Sequence, residues 1–289
     1  MADVVLAAVP TPFTADGSLD HAGARRLFEF VAGRVDGLFV AGTTGEFPAL
    51  DDDERLALVE TALEVAGPDR VIAHIGAPDA YRAARLAREA ALLGATRIAA
   101  ITPYYLAPSP AEIMSYYVRI REAAPAAGLY AYVFPERTGL TVEPQQFCEL
   151  ADYAGLAGAK FSGSAARNVA ACAAARPGLR IFSGDDSDLA ATLRAGGAGV
   201  ISARSAAYPE VFAGLSAALA AGPDGAGEAA ARQADVLAIA ALGASIGLVK
   251  AALRARGFGP MAARMPVAEP DEPTAARVAE VVKTLTAAA

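Results

Sequence analysis

Short apolar runs alternate along most of the chain with longer stretches in which apolar residues recur every three or four positions. The runs lie at 4–9, 37–41, 71–75, 97–101, 128–132, 156–160, 180–183 and 199–202. Each is apolar on both faces, the pattern of a parallel strand covered on either side, not of one half open to water. The stretches between them, at 20–34, 51–66, about 79–93, about 110–123 and near 143–154, read as helices. Asp20 is a good N-cap for the first, and the acidic first turn of the second suits the helix dipole.

Eight such units in one chain predict an α/β protein built as a closed (β/α)8 TIM barrel. An open doubly wound sheet needs a glycine-rich phosphate turn after its first strand, and Pro10-Thr-Pro-Phe-Thr14 is not one. Beyond the eighth run, the linker-like 222–227 is followed by helical patterns at 228–242, 246–256 and 273–285. The chain is therefore expected to divide into a barrel carrying the active site, 1–222, and a C-terminal helical appendage, 223–289. The Ala-rich faces of the appendage would suit packing on the barrel or a subunit contact.

Composition narrows the function. No apolar run of 18 residues is free of charge, and Met1 to Val4 lacks a basic segment, so neither membrane nor secretion is expected and the compartment is read as cytoplasmic. A net charge of −7 with no basic cluster longer than Arg25-Arg26 argues against nucleic acid. Cys148, Cys172 and two histidines do not make a zinc site, so no metal is expected.

The chemistry is expected where the strands end, because barrel enzymes work at that face. Among 25 basic residues only Lys160, Lys250 and Lys283 are lysine, and Lys160 closes the sixth run. An amine that must lose its proton to attack a carbonyl is one place arginine cannot serve. Strand two runs into Gly42-Thr43-Thr44-Gly45-Glu46, strand four into Tyr104-Tyr105, strand five ends at Tyr132 with Arg137 beyond it, and strand seven runs into Gly184-Asp185-Asp186. A lysine desolvated in an apolar barrel mouth has a lowered pKa and can form a Schiff base with a keto acid. Tyrosine and threonine hydroxyls can move the protons.

These segments resemble the dihydrodipicolinate synthase / N-acetylneuraminate lyase group of class I pyruvate aldolases. Gly42-Thr-Thr-Gly-Glu46 is similar to its strand-two signature, Tyr132-x-x-Pro135-x-Arg137-Thr-Gly139 to its strand-five signature and Gly158-Ala-Lys160 to its Schiff-base segment. The resemblance implies that Lys160 forms an imine with pyruvate, that Tyr132 shuttles its proton, and that Thr43 links Tyr132 to Tyr105, which in the family reaches in from a partner subunit. Thr44, Gly184 and Ile201 would bind substrate, and Arg137 would grip the carboxylate of the second. No cofactor is implied; the partners would be pyruvate, a small aldehyde and further copies of the chain in a homodimer or homotetramer. Condensation with aspartate semialdehyde is expected first, a 2-keto-3-deoxy sugar-acid aldolase second, and a keto-acid-binding relative without catalysis third, since such a relative needs no proton relay.

Three departures bear on specificity. Where the synthases carry Asn, Asn and Glu, this chain has Leu106, Val133 and Phe161, three apolar residues expected near the mouth. Pro78 stands where lysine-inhibited synthases carry Asn, which predicts no inhibition by lysine. Elsewhere the expectations are structural: His74 as a core histidine, His21 facing solvent, Glu46 anchoring its loop and Lys250 structural or at the surface. Asp185, Asp186 and Asp188 are expected to cap the next helix, and Gly196-Gly197 to end one.

Overall fold

The computed structural model describes residues 4–187 and 189–287. Eight parallel strands close on themselves in sequence order: β1 (Val5–Ala8), β2 (Gly37–Val40), β3 (Val71–His74), β4 (Arg97–Ile101), β5 (Gly128–Val133), β6 (Gly158–Phe161), β7 (Arg180–Ser183) and β8 (Gly199–Ser202). β8 pairs with β1, so no edge is left unpaired among these strands. The fold is a (β/α)8 TIM barrel with flanking helices and C-terminal helices beyond.

Successive residues of each strand face opposite sides of the sheet, and the two faces have different neighbours. Leu6, Phe39, Ile72, Ile101, Tyr130, Tyr132, Phe182 and Ile201 fill the lumen. Val5, Leu38, Val71, Ile98, Val133, Phe161 and Val200 belong to the larger core between barrel and helices. The helices start where the sequence supplies caps: Asp20 accepts from Gly23 N at 2.8 Å, and Asp51 with Glu54 and Ser109 with Glu112 form capping boxes. At the other end of a helix, Gly196 takes φ 82° and donates to the Leu193 carbonyl, the expected C-cap.

The segment 222–227 is a tight turn and not an extended linker. A 3-10 turn, Gly222–Gly225, runs directly into the helix Ala226–Ala240, which lies back against the helix Pro209–Ala220. The helices Ile246–Ala255 and Glu272–Ala287 follow and pack on each other. Lys250, on the first of these, is fully buried and ion-paired with Glu46 at 2.5 Å. That contact ties the C-terminal helices to the loop after β2.

Candidate active site

A cavity of about 380 Å³ opens at the C-terminal ends of the strands. Its floor is set by register: β5 pairs with β6 so that Tyr132 lies beside Lys160. Both side chains alternate into the lumen. The Lys160 Nζ sits 4.6 Å from the centre of the Tyr132 ring and 4.7 Å from that of Phe39. Burial among these rings drives the amine from its ordinary value to about 7, against a smaller upward pull from Asp186. At neutral pH about half of such an amine is unprotonated and nucleophilic.

The tyrosine is equipped to move protons. Its hydroxyl lies 3.2 Å from Thr43 Oγ1, with either atom able to donate. Burial raises the Tyr132 pKa, while hydrogen bonding to Thr43 and Ser162 pulls it back. Ser162 is a site residue that sequence reasoning missed, although the strand period points to it: two residues beyond Lys160, it faces the same way.

Thr43 and Thr44 sit on a loop held in a costly shape. Ala41 and Glu46, at its two ends, have φ of 53° and 56°, in the left-handed region that non-glycine residues avoid. The buried Glu46 carboxylate holds the loop by accepting from the backbone N–H groups of Arg264 and Met265 at 2.9 and 2.7 Å and pairing with Lys250. Gly42 is needed there, since a Cβ would lie 2.5 Å from the Phe39 ring. Gly184 is constrained likewise: a Cβ would fall 2.0 Å from Ser162 Oγ.

The structure thus brings Lys160, Tyr132, Thr43, Thr44, Arg137, Gly184 and Ile201 to one pocket. Arg137 stands at the exposed rim, stacked over Phe134 at 5.2 Å. Tyr105 is elsewhere. It is 94% exposed, with φ 81°, on the loop after β4 and outside this cavity. The C-terminal helices also contribute a wall, through Leu242, Ser245, Ile246 and Leu248, so the pocket crosses the expected boundary at 222.

Two expectations are corrected. Val133 and Phe161 are not near the mouth; each is one residue out of phase with Tyr132 and Lys160 and points into the outer core, where Phe161 packs on Phe147 at 5.2 Å. Leu106 is 76% exposed and outside the Lys160 pocket. Asp186, expected to cap a helix, is buried and instead pairs with Arg204 and accepts from Ser202 Oγ at 2.5 Å. Asp185 accepts from Ser187 in a local turn, and Asp188 lies outside the described residues.

His74 is a satisfied core residue. Ile101 N donates to its Nε2 at 3.3 Å, and its Nδ1 lies 2.9 Å from the Ala41 carbonyl. Burial first, and Arg55 second, hold its pKa well below the ordinary value, so the ring is neutral. Among the described residues no cluster of three or more His, Cys, Asp or Glu could hold a metal ion, and no helix is long and apolar enough to cross a membrane.

Comparison with known proteins places these features in context. A profile of the Dihydrodipicolinate synthetase family matches residues 1–285. A 4-hydroxy-tetrahydrodipicolinate synthase of Synechococcus sp. (strain CC9605) is 35% identical over 269 residues, covering 91% of this chain and 88% of that one. The enzyme of the same name from Acidothermus cellulolyticus is 37% identical over 202 residues, spanning 68% of this chain and 64% of that protein's length. Among solved structures, YagE of E. coli K12, a prophage protein of the dihydrodipicolinic acid synthase family in complex with pyruvate, superposes with a TM-score of 0.88 at 29% identity over 98% of both chains.

Proposed function

The chain belongs to the dihydrodipicolinate synthetase family, a family of synthases and lyases, and from that premise we propose that it is a cytoplasmic, Schiff-base-forming enzyme that joins pyruvate to a small aldehyde. The observation that carries the proposal is the Lys160 amine: buried against two aromatic rings, with a pKa near 7, and directly across the β5–β6 pairing from a tyrosine whose hydroxyl meets that of Thr43. A neutral Lys160 Nζ attacks the keto carbon of pyruvate. Tyr132 delivers a proton to the departing hydroxyl, water leaves, and the Tyr132 phenolate takes a methyl proton from the resulting iminium, whose nitrogen accepts the electron pair, to give an enamine. The enamine carbon then bonds to the aldehyde carbon while Tyr132 gives its proton to the aldehyde oxygen, and water adding to the regenerated iminium returns the proton to Tyr132 and releases product and the free lysine.

Thr44 and its loop N–H groups would take the pyruvate carboxylate, with Gly184 and Ile201 completing the pocket beside Lys160. Arg137 at the rim is placed to grip a carboxylate on the incoming aldehyde, which favours a substrate like aspartate semialdehyde. The case for a sugar-acid aldolase rested on Val133, Phe161 and Leu106, and none of these faces the cavity. Tyr105, unsupported on its own chain, suits donation to a neighbouring subunit of a homodimer or homotetramer. The reaction needs no metal or organic cofactor.

Borohydride added with pyruvate should reduce the imine and leave a stable adduct on the Lys160 peptide. No adduct on folded protein would sink the proposal. Arg137→Ala should retain the adduct while losing use of a carboxylated aldehyde; loss of both would mean Arg137 acts in imine formation.

A further inference from the structure

Asp186 is a buried carboxylate in the same pocket as Lys160, yet the two do not pair. Both of its oxygens are committed on the β8 side. Ser202 Oγ donates to Oδ2 at 2.5 Å, and Arg204 Nη1 donates to Oδ1. Ser202 is itself fixed, because Ser205 N donates to its Oγ at 2.9 Å and leaves its proton for Asp186. Arg204 reaches further: its Nη2 donates at 3.2 Å to the carbonyl of Gly243, in the turn between the helices Ala226–Ala240 and Ile246–Ala255. One guanidinium therefore joins the ends of β7 and β8 to the C-terminal wall of the pocket.

Among the described residues, the titratable and charged groups around Lys160 are Tyr132 at the end of β5, Arg137 beyond it, Asp185 and Asp186 after β7, Arg204 and Tyr208 after β8 and the neutral His74 of β3. Arg137 and Asp185 stand toward solvent, where screening weakens them. Among the described residues, Asp186 and Arg204 form the one charge pair on the inner wall. Paired with Arg204, the carboxylate exerts only a pull on the lysine that is smaller than the effect of burial; separated, it would be a buried carboxylate in the same pocket as the Lys160 amine with no cation holding it to β8.

We propose that Arg204 is a positioning residue for Lys160: it ties the buried Asp186 carboxylate to the β8 side of the pocket and so denies the lysine a counter-ion. The functional meaning rests on Lys160 being the reacting amine, because an amine held as an ammonium by a carboxylate cannot attack a carbonyl.

The test titrates Lys160 directly and does not involve pyruvate. Acetic anhydride acylates only the neutral amine, and the modified Lys160 peptide is counted by mass spectrometry from about pH 5 to about pH 10. The unsubstituted protein should show a midpoint at about 7. Arg204→Met should raise it by about one pH unit or more, as an unscreened opposite charge in the same buried pocket does. Arg204→Lys, which restores a cation to Asp186, should return it toward the parent. Asp186→Asn keeps the contact to Ser202 and should lower it. An unmoved midpoint in Arg204→Met, or movement of Arg204→Met and Asp186→Asn in the same direction, overturns the proposal. Should Arg204→Met not fold, Asp186→Asn decides alone, since a midpoint that does not fall would mean there is no field for Arg204 to screen. A missing borohydride adduct with these midpoints intact would remove the proposed reaction and leave this inference standing.

Discussion

Two lysines of this chain are buried, and they are used in opposite ways. Lys160 and Lys250 each hold Nζ 4.7 Å from a phenylalanine ring, that of Phe39 or Phe13. Lys250 also touches the Glu46 carboxylate at 2.5 Å and donates to the Ala262 carbonyl at 2.6 Å. Burial lowers its pKa and Glu46 pulls it back up, so it stays an ammonium and acts as a strut between the helix Ile246–Ala255 and the loop that carries Thr43 and Thr44. Lys160 has the same kind of aromatic shell without the carboxylate. The difference teaches that an apolar shell supplies the tendency to lose the proton, while the presence or absence of a bound counter-ion decides whether the proton goes.

Breaking the strut should have the largest effect. Lys250→Met leaves Glu46 buried with backbone donors but no cation, and removing one partner of a buried pair costs about 3–5 kcal/mol. Urea unfolding should register that loss, and adding Glu46→Gln should recover part of it, because the stranded charge is then gone. A loss below about 1 kcal/mol would place Lys250 with the weak surface pairs and dissolve the contrast.

A somewhat smaller loss is expected next to the other lysine. Phe161 follows Lys160 in β6 but lies in the outer core against Phe147. Phe161→Ala should cost about 3 kcal/mol through the cavity it leaves, with unchanged aldehyde preference at temperatures where the protein stays folded. A shift in preference at parental stability would put this side chain on the pocket side instead. The same alternation marks what was legible in the sequence. Eight doubly apolar runs and their capped helices sufficed for the barrel, and Lys160, Tyr132 and the Thr43-Thr44 loop could be placed because they close such runs. Val133 and Phe161 were misjudged because they were read as neighbours of site residues, when a one-residue step along a strand reverses the face. Asp186 and Arg204 were illegible for another reason. Their pairing joins the ends of different strands, and no local pattern records which carboxylate a distant arginine will reach.

The smallest effect is the most pointed test of the comparison, because it depends on pH. In the folded chain Lys160 titrates at about 7, and in the unfolded chain at the ordinary value of 10.5. Between those values the unfolded chain holds a proton that the folded chain does not, so this lysine makes stability rise with pH across that window. Below about pH 7 both states carry the proton and the cost of burying the ammonium is felt in full. Lys160→Met removes the site and with it the whole dependence. Its advantage over the parent should therefore be greatest near pH 6 and smaller by about 2–3 kcal/mol near pH 9, read as the difference of two urea unfolding energies in which the remaining groups cancel. A difference that stays constant from pH 6 to pH 9 would mean that folded Lys160 keeps its proton as Lys250 does, and the two lysines would then differ only in where they sit.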